Sequence, residues 1–222
     1  MSRDAIQNVR CGIGGGRAPF AGAGRAALRC ACPASTARAP LASMIGMRSQ
    51  IEHLKSLIRD IPDFPKKGIL FRDITPLLAD PSGLALSIEM LANPSRGKHI
   101  DLVVGAESRG FIFGTAVACC LSAGFVLVRK PGKLPHNCLR MSYDLEYGKD
   151  SLEMHADSIR PGQRVLVVDD VLATGGTMKA CCDLVRQVGG QIVGVAVLIE
   201  LAGLGGRGKV APIEVHSILQ YE

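Results

Sequence analysis

Arg164-Val165-Leu166-Val167-Val168-Asp169-Asp170-Val171-Leu172-Ala173-Thr174-Gly175-Gly176-Thr177 is the stretch from which the fold of this chain is read. Its apolar, β-branched first half reads as a strand that ends in two carboxylates. The chain then passes through Thr-Gly-Gly-Thr into Met178 to Val188, which has helical spacing and few breakers. Glycines let successive backbone N–H groups converge without Cβ clashes, and the start of a helix adds partial positive charge, so this turn is suited to cradle a phosphate. The hydroxyls of Thr174 and Thr177 add donors for the same oxygens. Two acids beside an anion site need something neutral or cationic to face, such as ribose hydroxyls or a bound Mg²⁺, and the implied ligand is a phosphorylated sugar. A mere cap on a buried strand would use one acid and has no need of the full run. No Gly-Lys-Ser/Thr follows at the spacing of a Walker A loop.

Outward from this stretch, Ile100 to Val104 reads as a buried strand, and Gly105-Ala106-Glu107-Ser108-Arg109-Gly110-Phe111 turns into a helix through Cys120. An arginine with free backbone amides at a strand-to-helix turn is a second anion site of the same layout, unless Arg109 only caps the helix or pairs with Glu107. Gly124 to Val128 is another strand, followed by Arg129-Lys130-Pro131-Gly132-Lys133, whose three cations by composition alone suit a solvated loop. Leu139 to Tyr147 and Ser151 to Ala156, around a Gly148-Lys149-Asp150 turn, form a two-stranded ribbon. Residues 81–97 read as a helix, and Gln191 to Glu200 and Ile213 to Leu219 as strands. Gly203, Gly205 and Gly208 fit Gly-x-Gly-x-x-Gly, but Pro212 and a strand follow where a helix should start, so a dinucleotide is rejected. Strands alternating with helices give a parallel or mostly parallel α/β sheet, with its ligand at the carboxyl ends of the strands.

The run Asp169-Asp170 to Ala173-Thr174-Gly175-Gly176-Thr177 resembles the 5-phosphoribosyl-1-pyrophosphate (PRPP) signature of type I phosphoribosyltransferases. Pro62 to Pro76, through Lys66-Lys67-Gly68-Ile69-Leu70-Phe71-Arg72-Asp73, narrows the resemblance to the adenine phosphoribosyltransferase family, which it matches almost throughout 47–222. The resemblance implies the type I fold, a mostly parallel central sheet flanked by helices, with a small hood (about 47–80) and a β-ribbon lid (about 134–153). It implies that adenine and PRPP give AMP and pyrophosphate in purine salvage. Asp169 and Asp170 would hold ribose hydroxyls or waters on Mg²⁺, which rides on the pyrophosphate, and Ala173 to Thr177 the 5′-phosphate. Ser108, Arg109, Arg129, Lys130 and Lys133 would contact pyrophosphate, some across a homodimer interface. Leu70, Phe71 and Arg72 would meet the adenine, which the hood covers. Glu146 would take the N9 proton of adenine or steady the protonated base, with Tyr147 closing over the site. His136 to Met141 departs from the small and polar residues expected there. A phosphoribosyltransferase for another base, or a non-catalytic PRPP-binding regulator of DNA, are the competing readings; the intact lid and the absence of a helix-turn-helix pattern before residue 47 argue against the regulator.

Of the formal charge of +6, residues 1–46 supply +5, from six arginines and one aspartate. Residues 47–222 are nearly neutral, so nucleic-acid or membrane binding by them is not supported. The Arg/Gly/Ala-rich segment 1–46 has too little apolar matter to fold. It reads as a disordered extension or an over-extended start before Met44 or Met47, or else as an organelle transit peptide, and the cytoplasm is the expected location unless it is one. No stretch approaches eighteen consecutive apolar residues, so no membrane span is expected. The eight cysteines lack a Cys-x-x-Cys, and those of the domain read as small core residues of a reducing compartment rather than zinc ligands.

Overall fold

The computed structural model describes residues 41–144 and 149–222, with side chains described for 46–143 and 150–222. The arginines of the first segment lie outside these residues, as do Glu146 and Tyr147. Five strands form one all-parallel sheet: β3 (Leu102–Ala106), β4 (Gly124–Val128), β7 (Arg164–Leu172), β8 (Gln191–Leu201) and β9 (Val215–Tyr221), in the order β4-β3-β7-β8-β9. Alternation along β7 shows why the sheet is covered on both faces. Val165 and Val167 enter one core with α5 (Gly176–Gln187), while Leu166 and Val168 enter a second with α3 (Pro81–Ala92) and α4 (Gly110–Leu121). Helix α1 (Leu41–Ser56) adds Leu54 to the second core, and its first residues run back into the segment read as an extension. No helix among the described residues is long and apolar enough to cross a membrane.

Two antiparallel pairs stand outside the sheet. β1 (Arg59–Ile61) pairs with β2 (Phe71–Asp73) in the hood region, ahead of the short α2 (Thr75–Ala79). β5 (Cys138–Asp144) pairs with β6 (Lys149–His155) in a ribbon whose register sets Leu139 against Met154, Met141 against Leu152 and Tyr143 against Asp150. That register corrects the expected turn, because Lys149 and Asp150 belong to the strand. Leu152 and Met154 are fully buried in the α5-side core, so the base of the ribbon is anchored.

Other boundaries also moved. The helix expected over 81–97 stops at Ala92 and tightens into a 3₁₀ turn at Asn93–Ser95, since Pro94 has no N–H to continue the ladder. His216 Nε2 instead lies 3.1 Å from the carbonyl of Met90. The central strand runs past its two acids to Leu172, and α5 starts at Gly176 rather than Met178. Between β8 and β9 a five-residue helix α6 (Gly206–Val210) forms where none was expected. Cys181 and Cys182 are core residues, and burial pushes the Cys182 thiol up to about 11. Cys119, however, is exposed on α4.

Candidate active site

The turns after β3 and β7 open on one cleft of about 390 Å³, lined by Glu107 to Arg109 and Asp169 to Met178. Ser108, Arg109, Asp169, Asp170 and the whole of Ala173–Thr177 therefore share one wall, at the carboxyl ends of two adjacent parallel strands. The Glu107–Ser108 peptide is cis.

The loop after β7 is shaped by backbone contact. Gly175 adopts φ +79°, and a Cβ there would lie 2.5 Å from the carbonyl oxygen of Gly206, while a Cβ on Gly206 would overlap the carbonyl of Ala173. Gly206 opens α6, which Arg207 fastens down. The Arg207 guanidinium donates to both carboxylate oxygens of Glu200 (2.9 and 2.6 Å) and to the carbonyl of Val215 (2.8 Å), and Ser217 Oγ donates to Glu200 as well. Arg207 above all holds the Glu200 carboxyl down to about 2, so the brace stays charged at neutral pH. Nothing in the local sequence pointed to Gly206, which packs on a distant loop, or to Glu200 and Arg207, which no motif joins.

The paired acids are buried, Asp169 9% and Asp170 5% exposed. Burial first, and the Asp170 charge second, push Asp169 well above the usual carboxylate range; burial also raises Asp170 against the opposing pull of Arg109. Asp169 Oδ1 accepts the Asp170 N–H at 2.9 Å. It lies so close to Gly110 that a Cβ there would approach it to 2.7 Å, so Gly110 is a further residue not singled out from sequence. Arg109 Nε lies 2.9 Å from Asp170 Oδ2, which nevertheless has no aligned hydrogen bond. Arg109 thus pairs with Asp170 and not with Glu107. Among the described residues no three His, Cys, Asp or Glu side chains gather as a metal cage. A buried carboxylate oxygen that faces Arg109 without an aligned hydrogen bond does fit an Mg²⁺ that is held mainly by substrate oxygens and water.

The cations after β4 are placed differently. Arg129 and Lys133 both bind Glu107 (2.9 and 2.6 Å), Lys130 pairs with Asp150 of the ribbon, and none of the three lines the cleft. Burial opposes ionisation of Glu107, but Lys133 and Arg129 outweigh it and hold its carboxyl below the usual range. Glu153 of β6 accepts from the Gly132 N–H (2.9 Å) and from Arg140 (2.9 and 2.6 Å), which pins the loop to the ribbon.

In the hood, the Phe71 ring meets Phe64 edge-on at 5.1 Å, and the Arg109 guanidinium carbon lies 5.3 Å from its centroid, so Phe71 adjoins the cleft. Leu70 is 46% exposed beside exposed Phe64 and Ile69, an apolar surface. The guanidinium of Arg72 is committed elsewhere, to Asp60 and to the ring of Tyr221 at 4.0 Å.

Comparison with known proteins agrees with this geometry. The phosphoribosyl transferase domain model matches residues 74–216. The chain is 59% identical over 170 residues to the adenine phosphoribosyltransferase of Acidobacterium capsulatum, covering 77% of this chain and 94% of that protein. Its Rhodopirellula baltica counterpart is 56% identical over 168 residues, covering 76% and 82%. Among solved structures, the adenine phosphoribosyltransferase of Rhodothermus marinus superposes with a TM-score of 0.76 at 54% identity, over 78% of this chain and 99% of that one. The Saccharomyces cerevisiae enzyme, crystallised with an imino-altritol bisphosphate and adenine, gives 0.74 at 38% identity over 78% and 99%.

Proposed function

Because this chain belongs to the adenine phosphoribosyltransferases of the phosphoribosyl transferase domain family, we infer that it joins adenine to PRPP, giving AMP and pyrophosphate in purine salvage. The observation that carries the reading is the single cleft in which Ser108-Arg109 and Asp169–Thr177 converge.

In this reading the amides of Ala173–Thr177 and the hydroxyls of Thr174 and Thr177 hold the 5′-phosphate at the start of α5. Asp169 and Asp170 take the ribose hydroxyls, or waters on a metal. As the bond from C1′ to pyrophosphate breaks, charge grows on the leaving group; Arg109 and the Ser108 loop meet it in the cleft, and Arg129, Lys130 and Lys133 join them on leaving Glu107 and Asp150. When bound, Mg²⁺ neutralises part of that charge. The apolar surface of Leu70 and Phe71 supports an adenine ring, with Arg72 bracing this hairpin. Glu146 and Tyr147 enter on the family resemblance: Glu146 to accept or share the N9 proton, Tyr147 to close over the site and help keep water from PRPP. A homodimer, a cytoplasmic location and a domain spanning 47–222 belong to the same proposal.

The test is product analysis from adenine, PRPP and Mg²⁺. AMP and pyrophosphate are expected in equal amounts. Consumption of PRPP without AMP, or no turnover at all, overturns the reading.

A further inference from the structure

The four side chains Lys130, Asp150, Tyr143 and Thr177 form a chain at the Tyr143–Asp150 end of the ribbon. Asp150 and Tyr143 are register partners, so both project from the ribbon face that buries Leu152 and Met154. Asp150 Oδ2 pairs with Lys130 Nζ and accepts from the Tyr143 hydroxyl at 3.3 Å, and Thr177 Oγ1 donates to that hydroxyl at 3.4 Å. One end of the chain is a cation of the loop after β4, and the other is the last hydroxyl of the loop after β7. On the functional reading above, these two loops grip opposite ends of the same substrate.

We propose that Asp150, backed by the Tyr143 hydroxyl, is a positioning residue that competes with PRPP for Lys130, holding its ammonium on the ribbon until the substrate takes it over. Lys130 does not line the cleft while Asp150 holds it, whereas Thr177 does. Each raises the other's preference for the charged form: hydrogen bonding to Asp150 raises Lys130, and Lys130 lowers Asp150. The Lys130 ammonium is therefore neutralised locally, and pyrophosphate meets a loop whose cations are already occupied. The apparent affinity for PRPP is then reduced by the fraction of molecules in which Lys130 is tied down. Occupancy of the pyrophosphate end is in this way reported to the ribbon strands on either side of residues 145–148. Sequence reading missed this because position 150 looked like part of a turn, not an inward-facing strand residue.

The experiment is calorimetric binding of PRPP with Mg²⁺, without a base, to the full chain carrying Asp150→Asn, Lys130→Met or both. Asp150→Asn is expected to bind PRPP about threefold more tightly, the scale of one half-exposed ion pair. That gain should vanish in the Lys130→Met background. AMP, which lacks the pyrophosphate, should bind the Asp150→Asn variant with unchanged affinity. Unchanged or weaker PRPP binding by Asp150→Asn, or a gain that persists without Lys130, overturns the proposal. If Lys130→Met has no effect on PRPP while the wild type still makes AMP, the tie falls and the enzymatic reading stands. A wild type that makes no AMP sinks the enzymatic reading and the tie with it.

Discussion

Around Ala173–Thr177 the cleft is backbone packed against backbone, whereas around Leu70–Arg72 it is side chains leaning on one another. Gly175 and Gly206 touch through main-chain atoms that no side chain would fit between, and Glu200 with Arg207 fastens that contact from behind. In the hood, Phe71 rests on Phe64 and under Arg109, and Arg72 is spent on Asp60 and Tyr221. A phosphate site made of amides tolerates almost no displacement. An apolar surface of braced side chains tolerates more, which suits the proposed role of admitting and releasing a flat ring.

The sharpest way to break this contrast is Gly206→Ala. Its Cβ overlaps the Ala173 carbonyl, so the loop must shift, and kcat/KM for PRPP is expected to fall by at least about 10²-fold with an unchanged circular dichroism spectrum. A near-normal variant would show that the loop is not held by this contact. Glu146→Gln tests the proposed proton acceptor: kcat should drop by roughly 10²-fold while AMP affinity changes little, and a fully active variant removes Glu146 from the mechanism.

Asp169→Asn separates function from stability. The folded protein raises this carboxyl above its ordinary range, so the stability its protonated form confers is complete at low pH and is lost as pH rises. Near pH 7.5 the variant should therefore be more stable than wild type, on the order of 1 kcal/mol by thermal melts, and the gain should shrink on acidification. Its kcat/KM should nonetheless fall by about tenfold. A destabilised variant would mean that the pair is not strained by burial.

Glu200→Gln tests the brace with the opposite sign. A carboxyl lowered from 4.5 to about 2 stabilises the fold above the higher value and loses that contribution as pH falls toward the lower one. The variant should be less stable by about 2 kcal/mol at pH 7, with the gap closing between those two values. A pH-independent gap would assign the loss to packing. The smallest effect is expected from Arg72→Lys, which keeps the charge but loses the planar stack on Tyr221; KM for adenine should rise less than about threefold. A much larger rise would put Arg72 directly on the base.

The same contrast explains what could be read from sequence. The cleft position of the loop after β7 was legible because its candidate chemistry lies in consecutive residues: glycines, threonines and paired acids that all line one cleft. The parallel sheet was legible because alternation of apolar strands with helical runs survives in one dimension. Arg129, Lys130 and Lys133 were recognisable as cations but not as partners of Glu107 and Asp150, since those acids lie 20 residues or more away for the cross-ribbon and cross-loop pairs. Gly206 was invisible for the same reason, since it packs on Ala173 and Gly175, whereas Glu200 and Arg207 meet only because the chain folds back between β8 and α6. The ribbon's register was misread by a few residues because Gly148-Lys149-Asp150 has turn composition, and burial of Leu152 and Met154 overrode it.

The measurement that tests the account most directly is steady-state turnover of PRPP and Mg²⁺ with adenine, hypoxanthine, guanine and orotate in parallel, following nucleotide and pyrophosphate together. Turnover strongly favouring adenine is the predicted result, because on the proposed reading the loop after β7 does not contact the base and the hood does. Preference for another base would leave the phosphate wall intact and contradict the assignment of Leu70, Phe71 and Arg72.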